Sequence, residues 1–261
     1  MLLSEERKIE IIDELNRTGK LKVAELARKF KVSPETIRRD LTFLEEEGVL
    51  KRVYGGAIKS PYQMGEPPFL HRTEVNTNAK KVIGKLGADL VLDGDTIFID
   101  TGTTAAELAL QIRNKENVRI LTNCIPVAIT LMDSLNRKLF SGEVILLGGN
   151  LDPIQQSISG QLSEPIIENF NLDKAFISIG GISLVKGISD YNLNECLLSK
   201  KVIANTKQVV VLTDQSKIGV QALCKIAPLS DVDVVICDQE CPASWKNDIM
   251  SLGIEWISGS Y

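Results

Sequence analysis

The chain has 261 residues, of which 44% are hydrophobic and 25% charged, and a formal net charge of −4, ordinary values for a soluble globular protein. No apolar run approaches the ~20 residues that cross a bilayer. The N-terminus lacks a signal-peptide core. Membrane-spanning and secreted classes are thereby excluded, and a cytoplasmic location is expected.

Ser4 is placed to cap a first helix in which Ile9, Ile12 and Leu15 form an apolar stripe and which Gly19 ends. A second helix is predicted over about Val23–Phe30, with Ala24, Leu26, Ala27 and Phe30 available for packing. Lys31-Val32 then makes a tight turn. Ser33 suits the N-cap of a third helix, Pro34 its first position and Glu35 its positive end. Ile37, Leu41 and Leu44 recur at four- and three-residue spacing and give that helix one core-facing stripe. Thr36, Arg38 and Arg39 point elsewhere and crowd short polar and cationic groups onto its first two turns. Helix, short turn and arginine-bearing helix form a helix-turn-helix, whose second helix enters a DNA major groove N-terminus first.

After Gly48 the segment Val49–Ile58 reads as a two-stranded wing bent at Gly55-Gly56. Its Lys51 and Arg52 can hold phosphates while the helix reads base edges. The DNA-contacting set expected here is Ser33, Glu35, Thr36, Arg38, Arg39, Lys51, Arg52 and Tyr54. Taken alone, the arginines would solvate an amphipathic helix; capped helix, preceding helix, turn and wing in this order favour DNA.

These residues also carry a resemblance. VSPETIRRDLTFLEEEGVLKRVYGGA is similar to the N-terminal domain of DeoR-family bacterial transcriptional repressors, with Tyr54 where the family usually has His. Residues 1–60 hold 13 Lys and Arg against 11 Asp and Glu, a net of +2, and the remainder of the chain stands at −6. One weakly basic copy would bind modestly, because phosphate neutralisation supplies most of the affinity. Pairing copies across a repeated operator corrects that, so a homodimer or homotetramer is expected.

Residues 59–74, with Ser60-Pro61, Gly65 and Pro67-Pro68, read as a partly extended linker between a domain at 1–58 and one at 75–261. A helix from about Asn78 leads into an alternation of apolar runs and helices. The runs are Thr96–Asp100, Val118–Thr122, Val144–Leu147, Ala175–Ile179, Val209–Thr213 and Val234–Cys237. Helices are predicted from Thr104 to Ile112 and from about Pro126. The fold class expected is α/β: an N-terminal winged helix-turn-helix joined to a mostly parallel α/β sensor domain.

Each run ends in small or polar residues: Asp100, Thr101, Gly102, Thr103 and Thr104; Thr122 and Asn123; Gly148 and Gly149; Gly180 and Gly181; Asp214 and Lys217. Ligands of open α/β sheets bind at the carboxyl ends of strands. The first loop suits an anion, since Gly102 admits close backbone approach and a helix N-terminus offers N–H donors. Taken singly, each of these residues also has a plain role as cap, turn or surface charge.

FIDTGTTAAELA, LTN, LLGG and LTDQSKIG resemble the effector-sensing domain of the same family, similar in fold to ribose-5-phosphate isomerase. The resemblance implies a phosphorylated sugar as effector, its phosphate at Gly102, Thr103 and Thr104, with Asp100, Thr122, Asn123 and Lys217 at the sugar or ordering the pocket. Leu151–Leu162 and Tyr191–Lys201 depart most, the latter with Ser199 where a basic residue is expected. The five cysteines are scattered and read as free thiols; with His71 the lone histidine, no metal or cofactor is expected. A sugar-phosphate-released repressor of carbohydrate genes, bound to a double-stranded operator, is the favoured reading. An isomerase with an appended winged helix would need a base among Asp100, Asp190, Glu195 and Asp214, and no compact acid pair is visible in sequence. An architectural DNA binder would leave the strand-end residues unexplained.

Overall fold

The chain divides into two units, residues 1–67 and 68–261, each built of helices and strands. The structure is a computed structural model that describes residues 4–46, 50–59 and 66–259. The Gly48-Val49 junction, the Ser60–Gly65 part of the linker and the Ser4 side chain lie outside what is described.

The first unit begins with α1 (Ser4–Thr18), β1 (Lys20–Lys22), α2 (Val23–Phe30) and α3 (Pro34–Glu46). It ends with β2 (Leu50–Val53) and β3 (Gly56–Lys59). The wing is a three-stranded antiparallel sheet in the order β1-β3-β2, not the two strands expected. Its extra strand is only Lys-Leu-Lys, with Leu21 buried and both lysines exposed. Gly56 is required where β3 crosses β1, since a Cβ there would fall 1.9 Å from the Leu21 carbonyl oxygen. The α1 stripe also differs from expectation. Ile11 and Leu15 are buried, Ile12 is partly buried against them, and Ile9 is 53% exposed. Ala24 is likewise exposed. Ile37, Leu41 and Leu44 of α3 are buried as the spacing requires.

The second unit opens with α4 (Phe69–Thr73), α5 (Thr77–Asp89), β4 (Thr96–Ile99), α6 (Thr103–Gln111), β5 (Val118–Thr122), α7 (Ile125–Asn136) and β6 (Gly142–Leu146). A hairpin, β7 (Asn150–Asp152) and β8 (Ser157–Ser159), follows, then α8 (Glu164–Ile167) and β9 (Leu172–Ser178). The chain continues through β10 (Gly181–Ser183), β11 (Gly187–Asp190), α9 (Leu193–Ala204), β12 (Thr206–Thr213) and β13 (Cys224–Ala227). It closes with β14 (Val234–Cys237), α10 (Lys246–Ser251) and β15 (Glu255–Ser258).

Seven strands form one sheet in the order β15-β14-β12-β9-β4-β5-β6, and every pairing in it is parallel. Successive side chains alternate between its faces. Ile97, Ile99, Phe176 and Leu212 pack under α5, α6 and α7 on one face. Phe98, Ala175, Ile177 and Val211 pack on the other, against α9 and the small antiparallel sheet β10-β11-β13. Each large side chain so buried contributes roughly 1.5–3 kcal/mol. Residues 68–74, expected at the end of the linker, fall in this compact unit: Phe69 is 3% exposed and sits in its core.

The strand order reverses between β4 and β9. Such a reversal opens a crevice at the carboxyl ends of the two strands.

Candidate functional site

In the first unit, Ser33 caps α3 as its sequence predicts: its hydroxyl accepts the Thr36 N–H at 3.1 Å and lies 2.9 Å from the Thr36 hydroxyl. This leaves Glu35, Thr36, Arg38 and Arg39 on the outward side of the first two turns. Arg38 donates to Glu35 at 3.0 Å, with both side chains more than half exposed. Arg52 is held against α3, its Nη1 donating to the Thr42 hydroxyl and its backbone N–H to Glu45, both at 2.7 Å. Lys51 is exposed, and Tyr54 projects fully from the tip of the wing. Lys31 takes the left-handed conformation that ends α2, and the Gly55 carbonyl accepts the Val23 N–H. Turn and wing are thus anchored around a helix whose cationic face is outward.

In the second unit, parallel registration brings the expected loops side by side. Ile99 is level with Thr122 and Phe176, and Leu212 with Ser178. The loops after β12, β9, β4, β5 and β6 therefore share one edge of the sheet. Gly102 stands at φ +142°, and its α-carbon faces Ser178 so closely that a Cβ would lie 2.6 Å from the Ser178 Oγ. Thr103 and Thr104 open α6, whose first-turn N–H groups have no acceptor within the helix. Thr101, Thr103, Thr104, Thr122 and Asn123 are all buried. Among the described residues, the Thr101 hydroxyl, both polar atoms of the Asn123 amide and the Ser178 hydroxyl are buried without a hydrogen-bond partner. Leaving such a group unsatisfied costs about 1–3 kcal/mol, and these four atoms are concentrated at one strand edge.

Asp100 accepts from the Thr101 N–H at 2.8 Å and from the Ser199 hydroxyl at 3.1 Å. Burial holds its carboxyl well above the ordinary carboxylate range, and the nearby Glu195 and Asp190 push the same way. A raised carboxyl value favours the protonated form, which repels an anion in the adjoining loop less than a carboxylate would. Burial likewise raises the Cys124 thiol. All five cysteines are free.

The remaining expected residues divide. Lys217 donates to the Ile179 carbonyl after β9, placing its ammonium at the same edge. Asp214 caps the short 3₁₀ turn Gln215–Lys217, accepting from Ser216. Gly149 lies against Ser163, whose hydroxyl donates to the Gly148 carbonyl at 2.7 Å. Gly180 abuts Tyr191 and Asp190, and Gly181 abuts the Val220 carbonyl, so packing accounts for both glycines. Sequence reasoning missed Ser178, and met Ser199 only as an atypical residue. Ser157 was also missed; its hydroxyl donates to Glu195 at 2.5 Å. A cavity of about 820 Å³ lies further along the same edge, lined by Gln215, Asp238, Glu240 and Ser258 among others. Its carboxylates oppose an anionic ligand, which separates it from the Asp100–Thr104 loop.

The DeoR-like helix-turn-helix domain matches residues 7–60, and the DeoR C terminal sensor domain matches residues 75–239. The chain is 33% identical over 234 residues to the glycerol-3-phosphate regulon repressor of Escherichia coli (strain K12), covering 90% of each protein. It is 35% identical over 237 residues to the lactose phosphotransferase system repressor of Streptococcus mutans serotype c, covering 90% of this chain and 92% of the relative. It is 31% identical over 238 residues to the HTH-type transcriptional repressor GlcR of Bacillus subtilis (strain 168), covering 91% and 90%. Among solved structures, ribose 5-phosphate isomerase A from Methanocaldococcus jannaschii aligns over 55% of each chain at 20% identity, with a TM-score of 0.39. These relatives are repressors rather than enzymes, both units match in order, and the chain belongs to the DeoR family of DNA-binding transcriptional regulators.

Proposed function

We propose that this regulator represses genes of sugar metabolism by holding a double-stranded operator through residues 1–58, and that a phosphorylated sugar bound in residues 75–261 releases it. The observation that carries the effector half is the Asp100–Thr104 loop at the strand-order reversal. There a glycine whose backbone conformation strains any larger residue, the start of α6 and the buried hydroxyl and amide groups of Thr101, Asn123 and Ser178 come together. Helix N-termini and such loops favour anions, and the surrounding hydroxyl and amide groups suit a polyol. The relatives' names, a glycerol-3-phosphate regulon and a lactose phosphotransferase system, are consistent with a phosphorylated metabolite as the signal.

On the DNA side, Thr36, Arg38 and Arg39 read bases. Lys51, Arg52 and Tyr54 grip the backbone, while Ser33 and Glu35 order the helix start. The net +2 of the first 60 residues favours action as a homodimer or homotetramer on repeated half-sites. The ligand weakens operator binding only by binding the released arrangement more tightly than the bound one.

Thermal shift of the full-length protein against hexose, pentose and triose phosphates and their unphosphorylated forms tests the reading, followed by operator binding with each hit. Stabilisation confined to phosphorylated sugars, with loss of operator affinity, is expected. Equal stabilisation by the free sugars would sink it.

A further inference from the structure

The first residues of the second unit form a strap whose two ends are fixed to different strand ends. At one end the Arg72 guanidinium donates to Gln155 Oε1 at 2.7 Å, and the Phe69 N–H donates to the Ile154 carbonyl at 3.0 Å. Both acceptors belong to the turn between β7 and β8. At the other end Asn76 Nδ2 donates to Asp214 Oδ1, at 3.3 Å, beyond β12. Between them, Lys80 Nζ donates to the Arg72 carbonyl, and Asn76 takes a left-handed conformation that separates α4 from α5. β7 and β8 form a sheet of their own, joined to the end of β5 where the Ile158 N–H donates to the Asn123 carbonyl; β9 and β4, where the Asp100–Thr104 loop lies, stand between β12 and β5 in the main sheet.

The β7–β8 hairpin is in turn fastened to the candidate effector site. The Ile158 N–H donates to the Asn123 carbonyl at 2.7 Å, and the Ile125 N–H to the Gln156 carbonyl at 3.0 Å. Ser157 donates to Glu195 on α9. Any ligand that moves Asn123 or Glu195 therefore moves the hairpin, and the hairpin holds α4. A five-residue helix has little stability of its own, so its order depends on such attachments. Gln155 is buried, which makes the hydrogen bond its side-chain oxygen accepts from Arg72 costly to lose.

We infer that Arg72 and Gln155 are positioning residues that convey occupancy of the sugar-phosphate site to the linker and, by chain continuity, to the helix-turn-helix. This rests on the effector reading above and adds the element that transmits it.

The test uses full-length protein. Gln155→Met keeps the length of the side chain and removes the acceptor for Arg72. Glucose 6-phosphate, fructose 6-phosphate, ribose 5-phosphate and glycerol 3-phosphate serve as probes. The variant is expected to bind operator DNA, and whichever probe shifts the wild type, within about twofold of wild type. The probe-induced loss of operator affinity, roughly 5–150-fold for coupled sites, is expected to fall below about twofold. A variant released like the wild type overturns the inference. So does one that no longer binds the probe, since Gln155 would then be a ligand contact. A second measurement needs no sugar phosphate. Ser157→Ala unties the hairpin from α9, and amide exchange over residues 69–75 is expected to rise roughly tenfold while β4 and β9 stay unchanged. Unchanged exchange over 69–75 overturns the coupling. Failure of every probe on the wild type would instead sink the effector reading.

Discussion

Arg7 on α1 and Asp40 on α3 form an ion pair inside the first unit, with Nε donating to Oδ2 at 2.6 Å and Nη2 to Oδ1 at 3.2 Å. Both side chains are over nine-tenths buried. The pair ties α1 to α3, the helix whose buried Ile37, Leu41 and Leu44 leave Arg38 and Arg39 outward. Removing one partner of a buried, hydrogen-bonded ion pair costs roughly 3–5 kcal/mol. Asp40→Ala is therefore expected to unfold the first unit at markedly lower denaturant and to lose operator binding. Arg7→Met with Asp40→Leu should recover most of the stability, because hydrophobic replacement of both members is often neutral. Denaturant titration of the three proteins decides it; a double variant as unstable as Asp40→Ala would sink the ion-pair account.

Arg38 is already paired with Glu35, yet that pair is exposed, and such pairs contribute only about 0–1 kcal/mol. It leaves Arg38 available to DNA. Arg38→Ala or Arg39→Ala is expected to weaken specific operator binding without affecting sugar-phosphate binding. Arg39→Ala should lose roughly 1–3 kcal/mol of discrimination between operator and unrelated DNA. Lys51→Ala should weaken both DNAs alike and flatten the logarithmic salt dependence by about 0.9. Equal loss on operator and unrelated DNA for Arg39→Ala would reassign that residue to the phosphate backbone.

What the sequence could convey follows the range of the interactions. The Ser33 cap and the Ile37, Leu41 and Leu44 stripe are set within four residues and were legible. The α1 stripe was not: Ile9, Ile11, Ile12 and Leu15 compete for the core, and docking on α3 selects Ile11 and Leu15. β1 exists only through pairing with Ala57 and its neighbours, far along the chain. Apolar runs disclosed the core strands of the parallel sheet, whose two faces are both covered. The short antiparallel strands β10, β11 and β13 depend on each other and gave no such signal. Within the site, Asp100–Thr104 was visible as a loop, but Ser178 and Ser199 reach it from β9 and α9. A serine in an unremarkable helix carries no local mark of a partner 99 positions away.

Gly102 supplies a sharper test of the effector loop than any threonine. Its φ of +142° disfavours every other residue, and a Cβ would lie 2.6 Å from Ser178 Oγ and 3.0 Å from its Cβ. Gly102→Ala is expected to cost roughly 1–3 kcal/mol in strain and to displace the loop from Ser178. Sugar-phosphate affinity should fall by more than about tenfold, or roughly 1.4 kcal/mol, while operator affinity without effector is retained. Thr103→Ala removes only a hydroxyl, and its effect should be the smaller of the two. Calorimetric titration with a phosphorylated sugar that shifts the wild type reads both. Wild-type affinity in Gly102→Ala would place the phosphate elsewhere.

Asp100 makes the second unit sensitive to pH in a direction opposite to that of a paired carboxylate. Its folded-state value is raised, chiefly by burial; the Thr101 N–H opposes this, Glu195 and Asp190 add to it, and the Ser199 hydroxyl opposes it least. Above the ordinary carboxyl value near 3.9, the unfolded chain has released this proton and the folded chain has kept it. The folded form therefore binds more protons, and stability falls as pH rises, by at most about 1.4 kcal/mol per unit, until Asp100 ionises in place. Asp100→Asn keeps an acceptor for the Thr101 N–H, presents its amide NH2 to the Ser199 hydroxyl oxygen, and cannot ionise. It should match the wild type at acid pH, exceed it increasingly toward neutrality, and flatten the dependence of the unfolding midpoint on pH. Parallel curves for the two proteins would show that Asp100 is ionised in the folded state and that burial does not govern it. The same loss of charge bears on ligand binding, because a neutral carboxyl does not repel a phosphate in the Thr101–Thr104 loop. Wild-type affinity for a phosphorylated sugar should accordingly weaken at high pH more steeply than that of Asp100→Asn.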